Sequence, residues 1–401
     1  MKTKKYTAFF MLYLLLQTSF LYLLPMKPYY ETISLALVVM LILVNLKKIN
    51  KHTYLYKKEV VIFIIFIIVD IVFTHVKHKQ GLVYTLYASE HCFLILAYFL
   101  FSYYLKTKIN AKKVEKIIIY FSLFLSTLFI LQFILYNKNL IFLSVPFTTR
   151  FEGIRINFTT IIPSLGALFA LINLFDNKNK FSFRFGSLVV LFTNVFYIIF
   201  ICKVRTILLI LIACSLIIWL ILYRKKFWAL MYFMSFFIFL VSIYIYYTQP
   251  DIFRNYISSI NSDDASLTIR IDAIKYFYSQ AANSPLFGIG LLYPIEGSFS
   301  SYIIKGSNLL FYSNDVGILG TMQNFGFTII IWYIFLLVKM FRLSHRRIKD
   351  NNLASYGMLI TYIFLTSFTL IITDKYRSFM LPIILALIES YCNNEKKGEV
   401  L

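Results

Sequence analysis

VVIFIIFIIVDIVFTHV, from Val60 to Val76, carries a single formal charge, at Asp70. A helix of this length, at about 1.5 Å per residue, crosses most of a hydrocarbon layer about 30 Å thick. The run does not alternate between polar and apolar residues. It therefore reads as a helix, since only helices and closed barrels satisfy their backbone in lipid. Working outward, similar runs lie at Ala8–Leu24, Thr32–Leu46, Leu82–Leu105, Ile117–Tyr136, Phe158–Phe175, Ser187–Cys202, Thr206–Tyr223, Phe227–Tyr247, Gly317–Val338, Leu353–Ile372 and Ser378–Tyr391. With 60% hydrophobic and 14% charged residues among 401, the chain holds more apolar surface than one soluble core can hide. The predicted fold is an all-α polytopic integral membrane protein. It has about twelve transmembrane helices and one long extracytoplasmic loop containing short helices.

The net charge of +22 falls mostly in short connections, which favours an orientation signal over nucleic-acid binding. With the N-terminus inside, the inner segments hold 26 of the 40 Lys and Arg. That bias obeys the positive-inside rule and predicts both termini in the cytoplasm. The first span follows Lys2, Lys4 and Lys5 without a small-residue cleavage site after Leu24, and reads as a retained helix. Cys92, Cys202, Cys214 and Cys392 have neither metal spacing nor a pairing pattern. The predicted organisation is helices one to nine in 1–247, the loop in 248–316, and three helices with a cytoplasmic tail in 317–401. Transporters usually keep connections short, whereas an enzyme acting on membrane-borne substrates needs a folded surface beside its site, so the loop argues for chemistry at the outer face.

Six of the 14 outer cations are Arg, against five of 26 inside. Lys suffices as a topology signal; planar bidentate donors are favoured where phosphate or carboxylate is held. Arg150, Arg155, Arg205, Arg270 and Arg377 sit where the chain enters or leaves the membrane or in the loop, and suit a pyrophosphate. Snorkelling to lipid headgroups is the structural alternative. In Thr149-Arg150-Phe151-Glu152-Gly153-Ile154-Arg155-Ile156-Asn157-Phe158, Gly153 permits a tight bend between two arginines, and Glu152 and Asn157 add polar groups. Lys203-Val204-Arg205-Thr206 is a turn so short that its cations sit at helix ends, where a charge needs a partner. Phosphate is one candidate; Asp70 and Glu90 on neighbouring spans are the structural alternative.

In the loop, Asp263-Asp264-Ala265-Ser266 predicts a helix from near Leu267 to Asn283-Ser284-Pro285. Leu267, Ile271, Ile274 and Tyr278 are expected along one face, with Arg270 and Lys275 elsewhere. Phe287-Gly288-Ile289-Gly290 lacks the context of a nucleotide loop and reads as a turn. Asp315, in Ser313-Asn314-Asp315-Val316-Gly317-Ile318, lies where the chain re-enters the membrane. It can cap the next helix or serve as a base.

The ordered set resembles the O-antigen polymerase and ligase superfamily, sometimes called Wzy-type. The matching elements are Arg150, Phe151, Gly153 and Asn157 before a span; Lys203, Arg205 and Thr206 in a short turn; and a long outer loop. That loop carries Arg270-Ile271-Asp272-Ala273, Ser284 to Gly290, and the exit Asn314-Asp315-Val316-Gly317. The resemblance covers most of Arg150 to Arg377. It implies a metal-independent glycosyltransferase without cofactor in a bacterial cytoplasmic membrane, using undecaprenyl-diphosphate-linked oligosaccharide. Membrane lipid surrounds it, and a chain-length regulator and a flippase are its implied partners; nucleic acid is not. The arginines would bind the donor diphosphate. Ligase-like members often carry a loop His, which this loop lacks; that favours a polymerase over a ligase, and Asp315, Asp272 or substrate assistance would take the proton, with Gly153, Asn157 and Asn314 supporting the site. A lipid-linked oligosaccharide flippase or transporter is the rival class, commonly built from internal repeats that this chain does not display; a structural scaffold is a third reading.

Overall fold

The computed structural model describes residues 2–17, 30–136, 138–143, 145, 147–150, 153–156, 158–176, 180–222, 265–295, 298–344, 348, 350–369, 371, 373–374 and 377–393. For Arg150, Gly153, Arg205 and Leu267 the backbone alone is described. The expected ninth span, the loop up to Asp264, the tail, and the candidate residues Glu152 and Asn157 lie outside the described residues.

The described chain is mostly helical. Its helices are α1 (Lys2–Gln17), α2 (Tyr30–Ile49), α3 (Lys57–His78), α4 (Leu82–Phe93), α5 (Ala97–Thr107), α6 (Ala111–Tyr136), α7 (Ile161–Phe175), α8 (Phe181–Phe196) and α9 (Arg205–Leu222). Then come α10 (Ala265–Asn283), α11 (Phe299–Lys305), α12 (Ile318–Phe325), α13 (Thr328–Ser344), α14 (Asp350–Thr366) and α15 (Met380–Asn393). One antiparallel hairpin, β1 (Phe147–Arg150) and β2 (Gly153–Ile156), precedes α7. A 3-10 turn at Leu94–Leu96 joins α4 to α5 without a break, and α8 runs into a π-helical turn at Tyr197–Cys202.

Among the described residues, five helices are long and apolar enough to cross a membrane: Glu31–Ile49, Lys57–His78, Leu82–Thr107, Ala111–Tyr136 and Phe181–Cys202. On α3 the exposed face is an apolar stripe, Val61, Ile62, Ile65, Ile68, Val69, Val72 and Val76, as a lipid-facing helix requires. Other apolar helices are shorter, including Ile161–Phe175, Thr206–Leu222, Asn352–Thr366 and Met380–Cys392.

Side-chain contacts set the heights of the short helices. Trp332 of α13 stacks on Phe63 of α3 at 4.4 Å, and Lys339 pairs with Glu59 near the Lys57 end of α3. Tyr333 donates to Ile363 O and Tyr356 to Met340 O, so α13 and α14 run antiparallel, with the start of α13 level with the end of α14. Ser164 of α7 and Tyr362 of α14 share a buried 2.7 Å hydrogen bond, bringing the start of α7 to the same level. The start of α7, the start of α13 and the end of α14 thus lie near the level of Phe66, about 18 Å short of the His78 end of α3. Beyond these ends the chain continues beside α3: Phe325 of α12 packs on Phe63 and Phe66, and Gly317 and Ile318 bond to Thr369 and Ser367 at the end of α14.

The expected span Gly317–Val338 is interrupted. α12 ends at Gly326, whose φ is 61°, and α13 restarts at Thr328. The break is imposed from outside the segment: Phe327 N donates to Pro285 O, and Ile289 N takes Gln323 O.

Candidate functional site

The arginine segment before α7 forms a hairpin and not a bend at Gly153. Its register is Phe147↔Ile156, Thr148↔Arg155, Thr149↔Ile154 and Arg150↔Gly153. Opposed residues share a sheet face and alternate along each strand, so positions 150 and 155 occupy the same face. Arg155 Nε donates to Thr148 Oγ1 at 2.8 Å, which fixes its direction. Ile156, on the other face, is buried, and β2 packs against the π-helical turn.

That turn leads directly to the short cationic connection. Lys203 adopts a left-handed conformation (φ 53°), which reverses the chain so that α9 starts at Arg205. α9 packs against α7 and α14. The alternative pairing of Arg205 with Asp70 or Glu90 depends on a side chain outside the described residues. Glu90 accepts a 2.8 Å bond from Thr32, and both carboxylate oxygens of Asp70 lack hydrogen-bond partners among the described residues.

Arg377 lies in the turn between α14 and α15. It forms an ion pair with buried Asp374 in the same turn, and Arg377 N donates to Asp374 O at 3.0 Å. It is also within electrostatic reach of Tyr362. Sequence reasoning missed Asp374, which gives this arginine an internal partner.

Asp315 is exposed in a 3-10 turn, Ser313–Asp315. It is not a helix cap. The N-cap of α12 is Gly317, with no side-chain cap bond. Gly317 N donates to Thr369 O at 3.0 Å and Ile318 N to Ser367 O at 2.8 Å, so the end of α14 satisfies the start of α12. A Cβ on Gly317 would stand 2.2 Å from Ser367 O, and its φ of 62° also demands glycine. These bonds tie the Asp315 turn to the connection that carries Arg377. Asn314 is half-buried beside it.

α10 presents a different face from the one expected. Ala273, Phe277 and Ala281 are buried, and the first two pack on Val316; Ile271 and Tyr278 are exposed. Small Ala side chains let α10 approach α12 closely, which outweighs the larger apolar residues on the other face. Arg270, half-buried, lies at helical spacing from Ala273 and Phe277, on the side of α10 that packs on Val316. Asp272 lies on the exposed side, paired with Lys275 at 3.4 Å, apart from Arg270 and Asp315.

A further group comes from α3, and sequence reasoning overlooked it. Residues 288–293 lie along the His78 end of this helix. Lys77 Nζ reaches Gly288 O (3.3 Å), His78 Nε2 Ile289 O (2.8 Å) and Gln80 Nε2 Leu291 O (3.2 Å). Leu291 N donates to Thr74 Oγ1 (2.8 Å) and Tyr293 N to Gln80 Oε1 (2.9 Å). The polar run Thr74-His75-Val76-Lys77-His78-Lys79-Gln80 was the available signal.

Together the fold and these segments define a polytopic helical membrane protein whose arginine-bearing segments adjoin the ends of its shorter helices. Residues 188–322 match the family model described as O-antigen ligase, in agreement with the resemblance read from the motifs. Members of that family are membrane enzymes of glycosyl transfer acting on lipid-linked oligosaccharides. The match covers about a third of the chain and includes the Arg205 turn, α10 and the Asp315 turn; the β-hairpin and Arg377 lie beyond it. No curated protein matches the chain.

Proposed function

We propose that the protein is a polysaccharide polymerase of O-antigen, capsule or exopolysaccharide assembly, joining undecaprenyl-diphosphate-linked repeat units at the outer face of a bacterial cytoplasmic membrane. In this reading about twelve spans place both termini inside. An acceptor hydroxyl attacks the anomeric carbon of the donor sugar. The new C–O bond forms as the bond to diphosphate breaks, the diphosphate leaves as an anion, and the hydroxyl proton passes to Asp315. Arg150, Arg155, Arg205, Arg270 and Arg377 stabilise the charge developing on the leaving group, so no divalent ion is required.

The observation that carries the proposal is the common location of the cations. The hairpin of Arg150 and Arg155, the start of α9 at Arg205 and the Arg377 turn all border the outer ends of short helices that pack together. Arg205 at a helix N-terminus adds positive charge to the positive end of a helix dipole, an arrangement that a bound anion relieves.

The ligase reading draws on the family description, and differs in the acceptor only. Absence of His from the loop favours polymerisation. The test is reconstitution of the purified protein with a lipid-diphosphate-linked repeat unit from its host, in EDTA. A ladder of longer glycans is expected. Movement of lipid-linked sugar between leaflets with no ladder would instead mark a transporter.

A further inference from the structure

The long connection contains a segment whose depth sets it apart from a surface lid. Phe287 stacks against Phe73 at 4.7 Å and Phe66 at 5.9 Å, both on α3. Thr328 Oγ1 donates to Leu286 O at 2.9 Å, Phe327 N to Pro285 O at 2.8 Å, and Tyr278 meets Phe327 edge-on at 5.8 Å. The C-terminal end of α10 and residues 284–287 therefore lie level with the middle of α3. The chain climbs back from there to His78 and Gln80. The lipid-facing stripe of α3 continues to Val76, so this tip lies about 15 Å below the apolar limit of its neighbour.

The exposed side of α10 has two edges. Ile271 (45% exposed), Tyr278 (57%) and, just beyond, Leu286 (60%) make an apolar edge. Asp272, Ser279 and Asn283 make a polar one, also exposed, and Lys275, 74% exposed between the two edges, is drawn to the polar one by its ion pair with Asp272. At mid-membrane depth an exposed Asn in hydrocarbon is costly, and so is an exposed Tyr-Leu edge in water.

We propose that residues 265–293 form a re-entrant hairpin in the outer leaflet, with its apolar edge against lipid acyl chains and its polar edge lining a water-filled vestibule. The partner of the Ile271–Tyr278–Leu286 edge is the bilayer itself, because that edge shares its depth with the lipid-facing stripe of α3. This topology is independent of the reaction catalysed. It draws back into the membrane a part of the connection that hydropathy places outside.

The test is spin labelling of Tyr278→Cys, Leu286→Cys, Ser279→Cys and Asn283→Cys in proteoliposomes, with Val72→Cys on α3 as the lipid standard. All five positions are exposed, and the four native cysteines are buried. Collision with oxygen reports lipid; collision with a water-soluble nickel chelate reports water. Labels at 278 and 286 are expected to resemble the label at 72, with oxygen dominant. Labels at 279 and 283 are expected to be at least several-fold more accessible to nickel. Nickel dominance at all four would return the segment to the aqueous surface, and oxygen dominance at all four would remove the vestibule; either overturns the proposal.

Discussion

His78 Nε2 lies 2.8 Å from the carbonyl oxygen of Ile289, 211 residues further along the chain. A carbonyl only accepts, so Nε2 carries the proton. This bond and its neighbours from Thr74, Lys77 and Gln80 hold the returning arm of the loop to α3. Replacing His78 by Ala removes one such bond, about 1 kcal/mol. Amide exchange in residues 288–293 is expected to speed about five-fold, while His78→Gln, which keeps an N–H donor, recovers part of the protection. Unchanged exchange in His78→Ala would show that the ring merely rests against the loop.

Glycines in the same arm are fixed by contact and by conformation. A Cβ on Gly288 (φ 58°) would stand 2.0 Å from Gln323 O, whereas one on Gly186, within α8, meets nothing within 4 Å. Gly288→Ala is expected to destabilise by about 2 kcal/mol or more, combining strain with displacement of backbone. Gly186→Ala should stabilise by about 0.5–1 kcal/mol through helix propensity. Thermal unfolding in detergent, read for both variants, checks the opposite signs; a fall of equal size in both would remove the contact argument.

Long apolar helices were legible because each carries its own signal: Val60–Val76 needs no partner to be read. What was illegible depends on residues far apart in sequence. The end of α12 at Gly326 is set by Pro285 and Ile289. The buried face of α10 was missed because Ala273 and Ala281 pack by being small, which a count of large apolar residues passes over. The arginine segment was legible as a motif but not as a hairpin, because its strands are short and flanked by helices. Arg377 was legible as a candidate, but Asp374 acquires meaning only when the turn between α14 and α15 is folded.

Glu389, near the end of α15, shows the same dependence. Its side chain is 1% exposed, and accepts bonds from Leu55 N, Lys106 Nζ, Tyr98 Oη and Ser102 Oγ. Glu389→Leu leaves these donors facing an apolar group, including a partly buried ammonium. A loss of about 3–5 kcal/mol is expected. The double variant Glu389→Leu/Lys106→Met should recover part of it. Thermal unfolding of the two singles and the double measures the coupling, and simple additivity would mean that the pair does not act as a unit.

Arg377 separates a binding role from a structural one, because its acid partner is known. Arg377→Ala leaves Asp374 buried without its counter-ion and is expected to lower stability by about 3 kcal/mol. Adding Asp374→Asn removes that charge and should restore most of the stability. If Arg377 also holds the donor diphosphate, the stable double variant remains inactive in the glycan ladder assay; recovery of activity would reduce Arg377 to a strut. Arg155 has no acid partner among the described residues, and its Nε is occupied by Thr148. Arg155→Ala should therefore fold normally and lose polymerisation, and Arg155→Lys should keep the charge but lose most activity, because an ammonium cannot supply the paired N–H donors of a guanidinium. Full activity of Arg155→Lys would show that charge alone suffices at this position and that bidentate binding is not used there.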